Sequence, residues 1–261
     1  MGALHLIPDP GRLDESLALA AEVGARFEYN DFYEPSLLDD EAALAARINL
    51  YLAAGRDRSS DTLHGAFYDV TVHSDDPLIR TASEHRVLQS MEAARALGVR
   101  GVVFHTGTIP NFENEYYERV WLERNAAFWR DVAARFPGIE ILMENMFDMR
   151  PDFLESLAKE LEDLPGFGVC LDCAHAAIFG RGTRVWAKRL EPYIRHLHIN
   201  DHDGKSDLHL AVGAGVTDWA VYDSVIRALP QSPSVLIETK DPGRLRDSLA
   251  FMKERHLYPF D

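Results

Sequence analysis

The chain has 261 residues and a formal charge of −15, from 42 acidic and 27 basic side chains. This balance argues against a nonspecific nucleic-acid binder, which needs a basic surface. Hydrophobic residues make up 46% and charged residues 26% of the chain, which is ordinary for a globular protein. Two cysteines cannot form a disulfide framework, and no apolar stretch reaches the roughly 18 residues of a membrane span. We therefore expect a cytoplasmic protein with no membrane partner.

Short apolar runs alternate with longer segments of helical period along the whole chain. In Glu84–Leu97, apolar residues recur at three- and four-residue steps, and Gly98 follows where a helix typically ends. Asp76 and Pro77 predict the N-cap and first turn of a helix in the same way. The apolar runs predict eight strands: Leu4–Ile7, Arg26–Tyr29, Asp61–Gly65, Gly101–His105, Glu140–Glu144, Phe167–Asp172, Ile194–Ile199 and Ser234–Glu238.

Eight strands that are each followed by a helical segment indicate an α/β fold. About 33 residues per unit matches the roughly 250 residues that are typical of a (β/α)8 TIM barrel. The alternative is a doubly wound sheet, which predicts a glycine-rich phosphate turn after the first strand, and Pro8-Asp9-Pro10-Gly11 lacks that pattern. No linker, low-complexity tract or repeat divides the chain. We therefore predict a (β/α)8 TIM barrel formed by a single domain, residues 1–261.

Candidate metal ligands stand at the ends of the predicted strands. In a TIM barrel the C-terminal strand ends and the loops after them surround one mouth, where function collects. Any single histidine or carboxylate there is more often hydrogen-bonded or exposed than a ligand. Six consecutive strands nevertheless end in such residues, and imidazole with carboxylate suits zinc, manganese or iron(II). The nine candidates are His64, His105, Glu144, Asp172, His175, His198, Asp207, His209 and Glu238.

Four of the nine have the strongest signal, because each directly follows an apolar strand and can point into the mouth from a rigid element. These four are Glu144, Asp172, His198 and Glu238.

Other polar residues near the strand ends are expected to have structural roles. Cys170 and Cys173 form a CxxC pattern, but packing at a buried strand end is favoured over a redox role. His196 lies one layer deeper than His198 on the same strand face, where a hydrogen-bonded interior histidine is expected.

Four segments carry a more specific pattern. They read Gly168-Val-Cys-Leu-Asp-Cys-Ala-His175, His198-Ile-Asn-Asp201, Asp207-Leu-His209 with Gly213-Ala-Gly215, and Leu236-Ile-Glu238-Thr. Together they resemble the xylose isomerase-like TIM-barrel superfamily, which joins sugar isomerases and epimerases to endonuclease IV. The resemblance extends from about Leu63 to Lys240 and leaves out the first two strands. These motifs are specific for the superfamily and much less specific for one reaction.

The resemblance implies two alternative metal sites. Glu144, Asp172, His198 and Glu238 match the one-metal site of the ketose 3-epimerases and the inosose isomerase-like members, and His175 then resembles their substrate-contacting histidine. All nine candidates also match the three-zinc site of endonuclease IV, in which Glu144 and Glu238 would bridge metals. The expected cofactor is therefore a divalent metal, with zinc or manganese favoured and with one to three ions.

The first functional hypothesis is metal-dependent isomerisation or epimerisation of a sugar, a sugar phosphate or a polyol-derived ketone. A divalent ion stabilises the enediolate as a Lewis acid, while Glu144 and Glu238 move the proton. His175, with Arg181 or Arg184 in the following loop, is predicted to hold substrate hydroxyls or a phosphate. The expected partner is a small carbohydrate, and the sequence gives no indication of the oligomeric state.

The alternative is phosphodiester hydrolysis at abasic DNA by a zinc cluster. The net charge and the acidic stretch from Asp31 to Glu41 argue against a DNA backbone near the mouth. Loops two and three also show no clear basic and aromatic series that would enter a duplex. A third hypothesis is a barrel that binds metal or ligand without turnover, since a fold alone does not establish activity. Of these, the sequence favours the isomerase or epimerase.

Overall fold

Eight parallel strands close into a barrel in the computed structural model, which describes residues 2–112 and 114–261. Each strand pairs with its neighbours in the sequence, and β8 closes the barrel on β1. The prediction of a TIM barrel is confirmed, although β1, β3 and β8 are shorter than predicted by one or two residues. The strands are β1 (Leu4–Leu6), β2 (Arg26–Tyr29), β3 (Thr62–His64), β4 (Gly101–His105), β5 (Glu140–Glu144), β6 (Phe167–Asp172), β7 (Ile194–Ile199) and β8 (Ser234–Ile237).

Helices connect the strands and cover the outside of the barrel. α4 begins as predicted, because the Asp76 carboxylate accepts a hydrogen bond from the Leu78 backbone N–H at 2.8 Å, and it ends at Gly98 with φ of 70°. None of the described helices is long and apolar enough to cross a membrane. They are α1 (Leu13–Val23), α2 (Pro35–Leu38), α3 (Glu41–Ala53), α4 (Pro77–Leu97), α5 (Glu115–Arg135), α6 (Asp152–Glu160), α7 (Cys173–Ile178), α8 (Thr183–Leu190), α9 (Trp219–Arg227) and α10 (Pro242–Glu254).

Two apolar clusters show which side of the sheet each strand residue faces. The large cluster lies between the sheet and the helices and includes the fully buried Trp121 and Trp186. A small separate cluster consists of Val103, Leu142 and Cys170 on β4, β5 and β6. Because alternate residues of a strand face the same side, the residues two positions later on these three strands share that orientation. The polar ends of β4, β5 and β6 therefore point into the barrel at its C-terminal mouth.

A buried carboxylate connects β2 to β3. Asp61 lies immediately before β3 and accepts hydrogen bonds from the Phe27 backbone N–H and the Tyr29 hydroxyl, each at 2.9 Å. It also pairs with the Arg56 guanidinium, which lies 4.1 Å from the centre of the Phe27 ring. Asp61 is completely buried, so water does not take its place as the acceptor for the Phe27 N–H and the Tyr29 hydroxyl.

We expect Asp61→Ala to lower the free energy of unfolding by about 3 kcal/mol, because it leaves the Arg56 guanidinium and two buried donors without their acceptor. Urea titration measures this quantity. As a matched control, Asp131→Ala removes only an exposed pair with Arg135 at 3.6 Å and should change it by less than about 0.5 kcal/mol. Equal effects of the two substitutions would show that Asp61 contributes little to joining the strands.

Candidate metal centre

Four buried acidic and imidazole side chains converge at the C-terminal mouth of the barrel. Glu144 ends β5, Asp172 ends β6, His198 lies near the end of β7, and Glu238 directly follows β8. One ligand atom from each residue lies within 4.8 Å of the ligand atoms of the other three. Neighbouring strands set this convergence, since Asp172 on β6 is paired in register with His198 on β7. The structure thus brings together the four residues with the strongest sequence signal.

Most of the potential ligand atoms in this four-residue group have no hydrogen-bond partner. The buried atoms without a hydrogen bond to any described residue are both carboxylate oxygens of Glu144, Oδ2 of Asp172, Nδ1 of His198 and Oε2 of Glu238. Buried polar atoms normally have partners, and burying a charge without one is strongly unfavourable. A divalent cation would satisfy several carboxylate oxygens and one imidazole nitrogen together. The residues present therefore fit a zinc or manganese ion.

The ionisation of the carboxylates in this four-residue group depends on the charges that lie close to each of them. Burial raises the pKa of Asp172 well above its usual value, against the opposing charge of His175, and the nearby Glu238 and Glu144 raise it further. Burial also disfavours ionised Glu144, but the surrounding imidazoles, His198 foremost, hold the pKa of Glu144 well below its usual range. Glu144 is therefore a stable anion, whereas Asp172 needs an additional positive charge nearby to ionise readily.

Glu144 lies among four histidines. Its Oε2 atom is 3.5 Å from Nε2 of His64 and 3.3 Å from Nε2 of His105. Its Oε1 atom is 3.4 Å from Nδ1 of His175 and 3.3 Å from Nδ1 of His198. The ligand atoms of His64, His105 and Glu144 also lie within 4.8 Å of one another. The two oxygens of one carboxylate thus face two adjacent groups of candidate ligands.

A third group, which we call the rim group, consists of His175, Asp207 and His209. Oδ2 of Asp207 lies 3.3 Å from Nε2 of His175 and 2.8 Å from Nε2 of His209. His175 donates its Nδ1 proton to the Asn145 carbonyl at 2.9 Å, which leaves Nε2 directed towards Asp207. His209 has φ of 45°, a conformation that is uncommon outside glycine and that clusters at functional sites. All nine candidate ligands thus lie around one mouth.

Asp201 fixes the loop that carries two members of the rim group. Its carboxylate accepts hydrogen bonds from the Gly213 backbone N–H and the Trp219 indole N–H, each at 3.0 Å. Gly215 packs so tightly against this carboxylate that any larger side chain would collide with it. The motif residues Asp201, Gly213 and Gly215 therefore have a structural role, which is to position the loop after β7.

An open cavity of about 560 Å³ leads to these groups, a volume within the usual range for small-molecule sites. Three aromatic rings line one part of it, with 4.9 Å between the ring centres of Tyr33 and Phe67 and 4.3 Å between those of Phe67 and Tyr68. That loops two and three lack a basic and aromatic series for entering a duplex stays a prediction, although three of their aromatic rings line this cavity. Tyr33 belongs to the loop after β2 and the other two rings belong to the loop after β3, so the two loops meet only in the folded barrel. Lys240 and Arg244, after β8, supply the lysine and arginine side chains of the lining.

The structure places the two predicted substrate-binding arginines outside the cavity lining. Arg181 and Arg184 are exposed at the start of α8, and neither borders the cavity. A substrate contact from either residue stays a prediction. By contrast, His175 borders the cavity directly. Cys170 and Cys173 are free and buried, in agreement with packing roles.

The sequence profile of the xylose isomerase-like TIM-barrel family matches residues 17–255. The chain belongs to this family. A probable endonuclease 4 of Mycobacterium leprae is 25% identical over 202 residues, which are 72% of this chain and 76% of that protein. The structure of the TTHB071 protein from Thermus thermophilus, described as soaked with ZnCl2, has a TM-score of 0.73 at 26% identity and covers 96% of both chains. A D-tagatose 3-epimerase-like protein has a TM-score of 0.76 at 22% identity, covering 97% of this chain and 96% of that one.

We expect Asp172→Asn to have different effects on stability with and without metal. In chelator-treated protein, Tm should not fall, because metal-free Asp172 does not ionise readily, so the neutral Asn resembles it and can still accept from the His175 backbone N–H at 2.6 Å. With Zn²⁺ at about 1,000 times its Kd, the wild type should gain about 4 kcal/mol, and the variant should lose most of that gain. Calorimetry with and without Zn²⁺ measures both effects.

Asp148→Asn is a matched control for this experiment. Asp148 is another buried carboxylate near the mouth, but its oxygens bind the hydroxyls of Thr106 and Thr108 at 2.7 and 2.8 Å. This variant should keep the full stabilisation by Zn²⁺. If Asp172→Asn gained as much stability from Zn²⁺ as the wild type, Asp172 would not be a ligand.

Proposed function

We propose that this protein is a divalent-metal-dependent isomerase or epimerase that acts on a small carbohydrate with a carbonyl group. The observation that carries the proposal is the buried group of Glu144, Asp172, His198 and Glu238 beside a cavity of about 560 Å³. The Glu144 and Glu238 carboxylates come from different strands and meet within this group, which suits proton transfer between two positions of one substrate. The likeness in fold to a D-tagatose 3-epimerase-like protein supports this reaction class.

In this proposal the four residues hold a divalent cation, which supplies Lewis-acid stabilisation of the negative charge that develops on substrate oxygens. Glu238 borders the cavity and removes the proton from the carbon next to the carbonyl. Glu144 approaches the same group from β5. For return to the opposite face, Glu144 would first take up a proton from water and donate it, while the proton that was removed stays on Glu238. Return to the other face of the same carbon inverts it, whereas return to the neighbouring carbon interconverts an aldose and a ketose.

The remaining lining residues orient the substrate in this proposal. His175 and Asp207 both border the cavity, and we propose that they hold hydroxyl groups next to the four-residue group. The rings of Tyr33 and Phe67 offer an apolar surface to the carbon face of a sugar. Lys240 donates a hydrogen bond to a backbone carbonyl at 2.9 Å, so its charge has a fixed position at the edge of the cavity. A phosphorylated or acidic carbohydrate would complement this charge.

A second candidate function is metal-dependent phosphodiester hydrolysis. It is favoured by the Glu144 carboxylate, whose two oxygens face separate ligand groups, as a residue shared by two cations requires. The acidic stretch from Asp31 to Glu41 is also a weaker objection to DNA, because the Asp31 carboxylate lies 3.0 Å from the Arg47 guanidinium, which offsets its charge. Two observations stand against hydrolysis of DNA: the net charge of −15, and a lining in which Lys240 and Arg244 are the only lysine or arginine side chains among the described residues.

Exchange of solvent deuterium into candidate ketoses and sugar phosphates tests the proposed reaction. In metal-loaded protein, we expect Glu238→Gln to slow this exchange at least about 100-fold, because the amide cannot act as the base. NMR measures the exchange, and the rate is expressed per bound metal because Glu238 is also a candidate ligand. Asp241→Asn is the control: Asp241 borders the same cavity and caps α10, a role that Asn also fills, so the exchange rate should stay within about twofold.

Two results would contradict this proposal. An unchanged exchange rate in Glu238→Gln would exclude the mechanism with two glutamates. Cleavage of an abasic duplex by the metal-loaded protein, with no exchange into any ketose, would instead support the hydrolase.

A further inference from the structure

A completely buried carboxylate lies behind the candidate metal centre. Glu28 lies in β2, and its Oε1 atom is 3.0 Å from Nε2 of His198. The other ring nitrogen of His198, Nδ1, is 3.3 Å from Oε1 of Glu144 and 3.6 Å from Oε2 of Glu238. The imidazole therefore stands between one carboxylate on its inner side and two carboxylates of the four-residue group.

The second oxygen of Glu28 is held by two other strands. Its Oε2 atom accepts a hydrogen bond from the Thr62 hydroxyl at 2.6 Å and lies 3.0 Å from Nε2 of His196. An ionised carboxylate can only accept, so Nε2 of His196 carries the proton, and its Nδ1 accepts from the Ser234 hydroxyl at 2.6 Å. These contacts restrict the Glu28 side chain and leave its Oε1 atom directed at His198.

The contact between Glu28 and His198 is short but is not aligned as a hydrogen bond, and neither atom has another hydrogen-bond partner. The negative charge of Glu28 at 3.0 Å nevertheless favours the imidazole form that has its proton on Nε2. That form leaves the lone pair of Nδ1 directed towards Glu144 and Glu238. A metal-binding histidine typically donates its other N–H to a carboxylate or carbonyl, which fixes the ring and makes the ligand more basic.

We propose that Glu28 is a positioning residue, which selects the form of His198 that binds the cation through Nδ1. This inference rests on the metal site of the proposed function and is independent of the substrate. Glu28 itself lies outside the lining of the cavity and is not expected to contact substrate.

Zinc affinity tests this role, measured by competition with a chromophoric chelator in wild type, Glu28→Gln and Ser234→Ala. Glu28→Gln keeps the shape of the side chain and removes its charge, so we expect the zinc Kd to rise about 10–100-fold. Ser234→Ala removes a hydrogen bond from the same buried network without contacting His198. It should lower Tm while the zinc Kd stays within about twofold. Equal weakening of zinc binding in both variants would indicate a merely structural role and overturn the proposal.

The protonation of His198 provides a test that does not require a folded variant of Glu28. In zinc-bound wild-type protein, ¹⁵N NMR should show His198 with its proton on Nε2 and with Nδ1 bound. The signal is assigned by its loss in His198→Asn. Zinc bound at Nε2, or a proton on Nδ1, would overturn the proposal.

These measurements separate the role of Glu28 from the proposed reaction. Zinc binding by the wild type with no exchange into any ketose would contradict the reaction and leave the role of Glu28 intact. Wild-type zinc affinity in Glu28→Gln would contradict that role and leave the reaction intact. Absence of zinc binding by the wild type would overturn both.

Discussion

Burial of several carboxylates in one barrel mouth is the constraint on which the rest of the site depends. Glu144 and Asp172 are completely buried and Glu238 nearly so, and several of their oxygens have no hydrogen-bond donor among the described residues. An uncompensated buried charge costs several kcal/mol, so such a group persists only on a rigid scaffold or with an opposing charge. The closed sheet supplies the scaffold, and in the proposed function a divalent cation would supply the charge. The buried contacts of Glu28 behind the group and of Asp201 beside it keep ligands and loop in place.

Much of this arrangement could be predicted from the sequence, because a parallel barrel produces a simple pattern. Its strands are covered on both faces and therefore read as short apolar runs, which made all eight recognisable. Their polar last residues mark the mouth, so Glu144 and Asp172 could be assigned to it without coordinates. The same rule found His198, although the sequence could not show that Glu144 directs its two oxygens to different groups. That distinction depends on distances between side chains of non-adjacent strands.

The residues that were missed lie where this rule does not apply. Glu28 is inside a strand, but its position between Phe27 and Tyr29 was a usable signal: alternation places it on the face opposite both rings, inside the barrel. Tyr33 and Phe67 follow different strands, and only the closed barrel brings their loops together. The substrate contact of Arg181, which rested on its place in the loop after a ligand strand, stays a prediction, because Arg181 is exposed and lies outside the cavity lining.

Anomalous diffraction from crystals of the zinc-loaded protein, recorded on both sides of the zinc absorption edge, is the most direct measurement of the shared cation. We expect a zinc peak about 2.0–2.2 Å from oxygens of Glu144, Asp172 and Glu238 and from Nδ1 of His198. Further peaks at His64 with His105, or at the rim group, would add ions without altering this one. Zinc bound only elsewhere, with these four side chains beyond bonding distance of any ion, would contradict the account.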